Sequence, residues 1–342
     1  MAYTTIDSPK KYFEAKTYTG SGSTQSITGL EFSPDLVWIK NRSGANSHGL
    51  VTSLVDTRYA LDTSATSAEV DFSTSGVTSL NSDGFTVVSH PVFNSNANNY
   101  ISWNWRGSDS SAVSNTSGSI TSTVSANPTA GFSIVTYTGA GGASTVGHGL
   151  GVIPRMIILK GRSNARIWVI GHGSLGWTKY MSFDAAAVET NNYWNDTTPT
   201  ANVFSVFNSA NVNGSGETYV AYCFAEIKGY SKFGSYTGNG SADGTFIYTG
   251  FKPAFVMVKS TGAGANWLMQ NNKTLGYNAS NSELYANLTN AEGTFDRADL
   301  LSNGFKPRIN SGENNSSGVT YIYMAFAENP FVSSTGIPTT AR

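Results

Sequence analysis

The sequence predicts an all-β protein made of three tandem β-sandwich units of jelly-roll type. Three observations carry this. Charged residues make up 13% of the 342 residues, about half of the roughly 25% of an average soluble domain, while aromatics reach 12% and glycines number 36. Aromatic-rich, turn-rich and charge-poor composition suits short strands joined by Gly, Asn and Ser turns. Second, helix signals are sparse. Asp7-Ser8-Pro9 can cap one short turn through Phe13, and FDRADLL at 295–301 reads as another. Third, one strand pattern recurs along the chain.

That pattern is FSPDLVWIK around Pro34, VIPRMIILK around Pro154 and FKPAFVMVK around Pro253. In each, a lysine (Lys40, Lys160, Lys259) follows the proline by six residues, and His48, Trp168 or Trp267 follows the lysine by eight. Tyr-Thr-Gly triplets begin upstream at Tyr18, Tyr137 and Tyr236. Downstream come Phe85, Phe204 and Phe305, then closing strands that start at Tyr100, Tyr219 and Tyr321. Four landmarks in one order at near-constant spacing define three units. The first has drifted most, with His48 in the tryptophan position.

Each landmark has a physical reading. Proline cannot donate to a ladder, so it belongs at a strand start. Leu36 and Trp38 then face one way, and Val37 and Ile39 the other. Apolar residues on both faces predict a strand buried on both sides. The lysine that follows is expected at the strand's exit to solvent. The closing strands separate a bulky set (Ile101, Trp103, Trp105; Val220, Tyr222, Phe224; Ile322, Met324, Phe326) from a smaller one. This predicts one face on a core and the other closely approached. Cys223 falls in the smaller set and reads as packing rather than as a reactive thiol.

The boundaries follow. Residues 1–107 hold an N-terminal segment and unit one; 108–130, rich in Ser and Thr, read as a linker or arm in which the alternating ITSTV can add as an edge strand; 131–228 are unit two, 229–330 unit three, and 331–342 a tail.

Several functions are disfavoured. The net charge of −1 gives no electrostatic footprint for nucleic acid or an anionic membrane. A single cysteine excludes an internal disulfide framework. No run approaches the roughly 18 apolar residues of a membrane span, and MAYTTIDSPKKYF lacks a signal-peptide core, which predicts synthesis in a cytoplasm. GHGSLG at 171–176 has His172 where a nucleophile elbow needs glycine. His48, His90, His148 and His172 have no zinc spacing, so neither a metal nor a cofactor is expected. Asp62, Asp184, Glu189, Glu226 and Glu328 are scattered carboxylates, and Glu226 and Glu328 share one strand-end position.

Aromatics offer the better lead. Trp177, Tyr193 and Trp194 lie in an irregular stretch beside Asn191, Asn192 and Asp196. Indole faces that stack on a sugar, with amides and a carboxylate for its hydroxyls, suit glycan binding. The alternative is that these rings cover a sandwich edge or a subunit contact.

GSITSTVSANPTAGFSIVTYTG (118–139), YVAYCFAEIKGYSKFGSYTGNGSADGTFIYTGF (219–251) and the opening MAYTTIDSPKKYF carry a further signal. They resemble a repeat family of structural proteins in tailed bacteriophages of marine bacteria, often labelled tail fibre or lectin-like. The resemblance covers nearly the whole chain. It implies a concanavalin-like sandwich, a place in the virion and no active site to carry over. The expected function is a non-enzymatic virion protein: a tail fibre or adhesin, or a capsid decoration, with weak binding of a host surface glycan. Its expected partners are other tail or capsid proteins and further copies of itself, as a trimer in which 108–130 joins subunits. The alternative is a polysaccharide-degrading enzyme of a tail spike.

Overall fold

The computed structural model describes residues 3–108, 110–274 and 282–339. The chain is all-β, and its sheets are antiparallel sandwiches. Three principal sheets share one strand order. In the first, the opening strand Phe13–Thr19 pairs with the closing strand Asn99–Trp105, which pairs with the proline strand Leu36–Asn41, then His48–Thr52. The second repeats this with Phe132–Thr138, Thr218–Phe224, Met156–Gly161 and Val169–His172. The third uses Ser231–Thr237, Thr320–Pro330, Phe251–Ser260 and Leu268–Asn271. Smaller sheets back them. They are Gln25–Ile27 with Gly84–Val88 and Gly76–Asn81; Ser144–Gly147 with Val203–Val206; and Ile247–Tyr248 with Gly304–Pro307 and Ala298–Leu301. We call each sheet and its backing a lobe.

The landmarks find their reasons here. Pro34 and Pro154 stand just ahead of their strands, and Pro253 sits inside its strand at a register shift, where a missing N–H is tolerated. Phe85, Phe204 and Phe305 are buried between the two sheets of their lobes. Tyr18, Tyr137 and Tyr236 stack on Tyr100, Tyr219 and Tyr321 at 5.1, 5.2 and 5.2 Å. The hydroxyl of the second tyrosine in each pair accepts a backbone N–H, from Ser95, Gly214 or Ser316. The glycine of each Tyr-Thr-Gly lies against a loop carbonyl. A Cβ on Gly20, Gly139 or Gly238 would stand 2.1, 2.2 or 2.4 Å from an oxygen of Ser95, Gly214 or Ser316.

Both faces of each proline strand and closing strand are buried, but against different partners. Val37, Ile157 and Val256 face the backing sheet of their own lobe, and so do Ala221, Cys223 and Ala325. The bulky residues of all three lobes meet in one shared core: Trp38, Trp103 and Trp105 with Ile158, Tyr222 and Phe224 and with Phe255, Met324 and Phe326. The lobes are therefore layers of one body around a common centre. Phe183 marks that centre near the lysine end, with its ring 5.8, 5.4 and 5.3 Å from Trp38, Trp168 and Trp267.

Three expectations are corrected. The lysines do not lead to solvent: Lys40, Lys160 and Lys259 are wholly buried. Residues 108–130 are not a free arm. Ser122–Asn127 pairs along its length with Phe132–Thr138, and Val113–Asn115 pairs outside it, because alternate Ser122, Val124 and Ala126 give that strand a packing face. Residues 295–301 form no helix; Ala298–Leu301 is a strand whose Ala298 and Leu300 point inward at period two. The tail from 331 is anchored as far as it is described, since Asp7 accepts from the backbone and the hydroxyl of Ser334. The short N-terminal turn does form, as a 3-10 turn at Pro9–Lys11.

Candidate functional site

The residues proposed for glycan stacking are not available for it. Trp177 and Trp194 are 6% and 1% exposed, packed at right angles with centroids 5.3 Å apart inside the core of lobe two. Tyr193 is buried too; its hydroxyl accepts from Asn211 Nδ2 at 3.0 Å, and its ring meets Tyr180 edge-on. Asn192 and Asp196 remain exposed and Asn191 is half-buried, around a left-handed turn at Asn195 and Asp196 with φ of 51° and 48°. The hydrogen-bonding groups are thus at the surface without the rings. The physical reason is Gly171, in the strand Val169–His172. A Cβ there would stand 2.4 Å from Trp177 and 2.9 Å from Trp194, so the bare backbone is what lets two indoles lie on the sheet. A strand glycine marks a close approach of this kind, and it was the available sequence signal.

The scattered carboxylates are held by local structure. Asp62 Oδ1 accepts from the backbone of His48 and Ser64 and from the Ser64 hydroxyl. Asp184 accepts from Ala186 N, and Glu189 from the Tyr180 hydroxyl at 2.6 Å. Glu226 and Glu328 pair with Lys232 and Lys252. A further cluster escaped the sequence reading. Glu283, 4% exposed, pairs with Arg297, whose guanidinium also donates to Ser311 Oγ and the Tyr285 hydroxyl. Nearby Glu313 accepts from Asn266, and burial pushes its carboxyl above the usual range.

The most organised polar geometry lies at the lobe junctions. Lys160 Nζ donates to Gly161 O and Arg166 O in its own lobe and to Thr66 O of lobe one, at 3.2, 2.7 and 3.1 Å. Lys259 does the same with Ala265 O and with Ala186 O of lobe two. Lys40 binds Asn41 O and Asn46 O, and reaches Thr289 O of lobe three. Lobe two thus grips lobe one, lobe three grips lobe two, and lobe one closes the ring on lobe three. Burial holds each ammonium down to about 8.

A second bond repeats beside each lysine. Trp168 Nε1 donates to Asp62 O, and Trp267 Nε1 to Ser182 O. In lobe one the donor is His48, whose Nε2 lies 3.0 Å from Tyr285 O and 3.1 Å from Leu288 O. Trp38 Nε1 donates to His48 Nδ1 at 2.9 Å, so the proton of the neutral ring sits on Nε2. Trp38 also restores the missing indole volume, where lobes two and three carry Ile158 and Met257. The drift of lobe one is thereby compensated. Two ion pairs reinforce the ring: Arg42–Glu292 between lobes one and three, and Arg162–Glu69 between lobes two and one.

A family model described as Domain of unknown function (DUF7483) matches residues 8–330. The chain belongs to that family. The match runs across all three lobes, which agrees with their common core. No curated protein and no solved structure matches the chain.

Proposed function

We propose that this member of the DUF7483 family is a non-enzymatic structural protein of a bacteriophage virion, acting as a tail fibre, adhesin or capsid decoration. The observation that supports it is the closed ring of buried lysines, each fixing one lobe to the next through main-chain carbonyls. Side chains that elsewhere perform acid-base chemistry are engaged here in locking a body of fixed shape. Fixed shape is the property a particle component needs. The likeness of residues 118–139 and 219–251 to phage structural proteins points the same way. One outer strand that can pair with a neighbouring subunit is Val113–Asn115, on which Val113 is 57% exposed. Pairing there is the proposed route to an oligomer.

The test is location. An antibody to the purified protein should label intact particles at one place, capsid or tail, and mass spectrometry should recover the chain from gradient-purified virions. Its absence from purified particles would sink the proposal. Release of reducing ends from host polysaccharide by the purified protein would replace it with a tail-spike enzyme.

A further inference from the structure

Lobe one has an open corner where the equivalent corner of lobe two is filled by its own tyrosine. Two short bridges place the corners in register: Leu50 with Leu61 in lobe one, and Ile170 with Met181 in lobe two. One residue before each lies Ala60 or Tyr180, paired across a two-residue ribbon with Val70 or Glu189. In lobe two the Tyr180 ring stands against Tyr193 at 4.7 Å, and its hydroxyl is fastened to Glu189. In lobe one the methyl of Ala60 leaves a cleft of about 290 Å³.

The lining of this cleft has a definite chemistry. Asp62 Oδ1 is saturated by the three bonds described above, and its Oδ2 has no partner among the described residues. His90 Nδ1 accepts from Val92 N at 3.2 Å, which places the proton of the neutral ring on Nε2, again without a partner among the described residues. The Phe72 ring meets His90 edge-on at 4.8 Å, and Val70, 43% exposed, borders the opening. The cleft thus offers a carboxylate oxygen as acceptor, an imidazole N–H as donor and an apolar rim. Its volume is at the small end for ligand pockets.

We propose that this cleft binds one neutral pyranose unit, with hydroxyls on Asp62 and His90 and a C–H face on Phe72 and Val70. A sugar hydroxyl both donates and accepts, so the hydroxyls of one ring suit both an acceptor and a donor. The lone carboxylate disfavours acidic sugars. The proposal stands on the cleft alone and not on the virion reading, since the isolated protein suffices to test it.

Saturation-transfer NMR on the full chain with glucose, galactose, mannose and N-acetylneuraminic acid is the measurement. Saturable binding of at least one neutral hexose is expected, weak as befits a single ring and few bonds, with the acidic sugar bound less well. Ala60→Tyr installs the plug that lobe two already carries and, by filling the cleft, should abolish saturable binding. His90→Ala removes one hydrogen bond, should weaken binding about tenfold, and serves if the tyrosine variant does not fold. No saturable signal from any of the three hexoses overturns the proposal. So does binding that persists in either variant with a wild-type melt, or preference for the acidic sugar.

Discussion

Replacing Lys160 by methionine tests whether the buried lysines hold the lobes together or are merely tolerated. The side chain is wholly buried and its ammonium serves three carbonyls. Thr66 O keeps a second donor in Lys160→Met, the backbone N–H of Arg166. Arg166 O, at 2.7 Å from Nζ, loses the shortest of the three bonds. An orphaned buried carbonyl costs about 1–3 kcal/mol, and the two weaker contacts add to it. Against this, methionine fills the stem's volume and removes the penalty of burying a charge, a gain that has made some buried ion pairs replaceable. The lost bonds amount to about 2–4 kcal/mol, and the net expectation after that gain is a smaller loss, read as a lower urea midpoint at unchanged m.

The pH dependence separates the two accounts further. The folded ammonium is held to about 8 against 10.5 for a free lysine. Between those values the unfolded chain holds the proton and the folded chain does not, so this group's contribution to stability rises with pH across that window and is flat below it. Buried tyrosines such as Tyr18, Tyr137 and Tyr236 are pushed well above 10.0 and reverse the trend once unfolded phenols ionise. Wild-type stability should therefore climb from about pH 8 towards pH 10, less steeply in Lys160→Met. A variant at least as stable as wild type at pH 7, with an unaltered pH slope, would refute the claim that this lysine is a charged staple.

Three further outcomes follow from the same geometry. Phe183→Ala empties the point where Trp38, Trp168 and Trp267 converge and should cost about 3–5 kcal/mol, with all three lobes melting in one calorimetric transition; separate transitions would show that the core is not shared. Val256→Asp sets an unpaired carboxylate in the core of lobe three, where Val256 is 1% exposed, and should abolish the cooperative melt at neutral pH; a wild-type melting curve would place that strand at the surface. Burial holds His48 and His172 down to about 4, with Lys40 adding to the effect on His48, while both titrate at 6.5 when unfolded. Their contribution is full above pH 6.5 and falls away as the pH drops to about 4, so denaturation midpoints should decline over that window, less so in His172→Gln.

Much of the fold is legible in the sequence because its signals are local. Period-two alternation in LVWI and FVMV states that both faces are buried, and the structure agrees. The Tyr-Thr-Gly triplets and the closing-strand tyrosines recur at fixed spacing because each pair of rings stacks and each glycine touches a loop carbonyl. Cys223 reads correctly as a packing residue. Trp177 and Trp194 misled because their neighbours are exposed amides, and burial of a ring is set by what lies over it rather than beside it in sequence.

What covers each face was decided only by the tertiary structure. Nothing in the alternation of a strand says whether its second face meets its own backing sheet or another lobe, and the apolar periodicity is the same in both cases. The lysines show the limit most plainly. A lysine after at least four apolar residues reads as a strand end reaching water, because burying an ammonium alone is prohibitive. It becomes affordable only when carbonyls from a distant segment converge on it, Thr289 on Lys40, Thr66 on Lys160 and Ala186 on Lys259. The repeated sequence determines three similar strands ending in a lysine; the closure of the chain upon itself determines that those lysines lie inside.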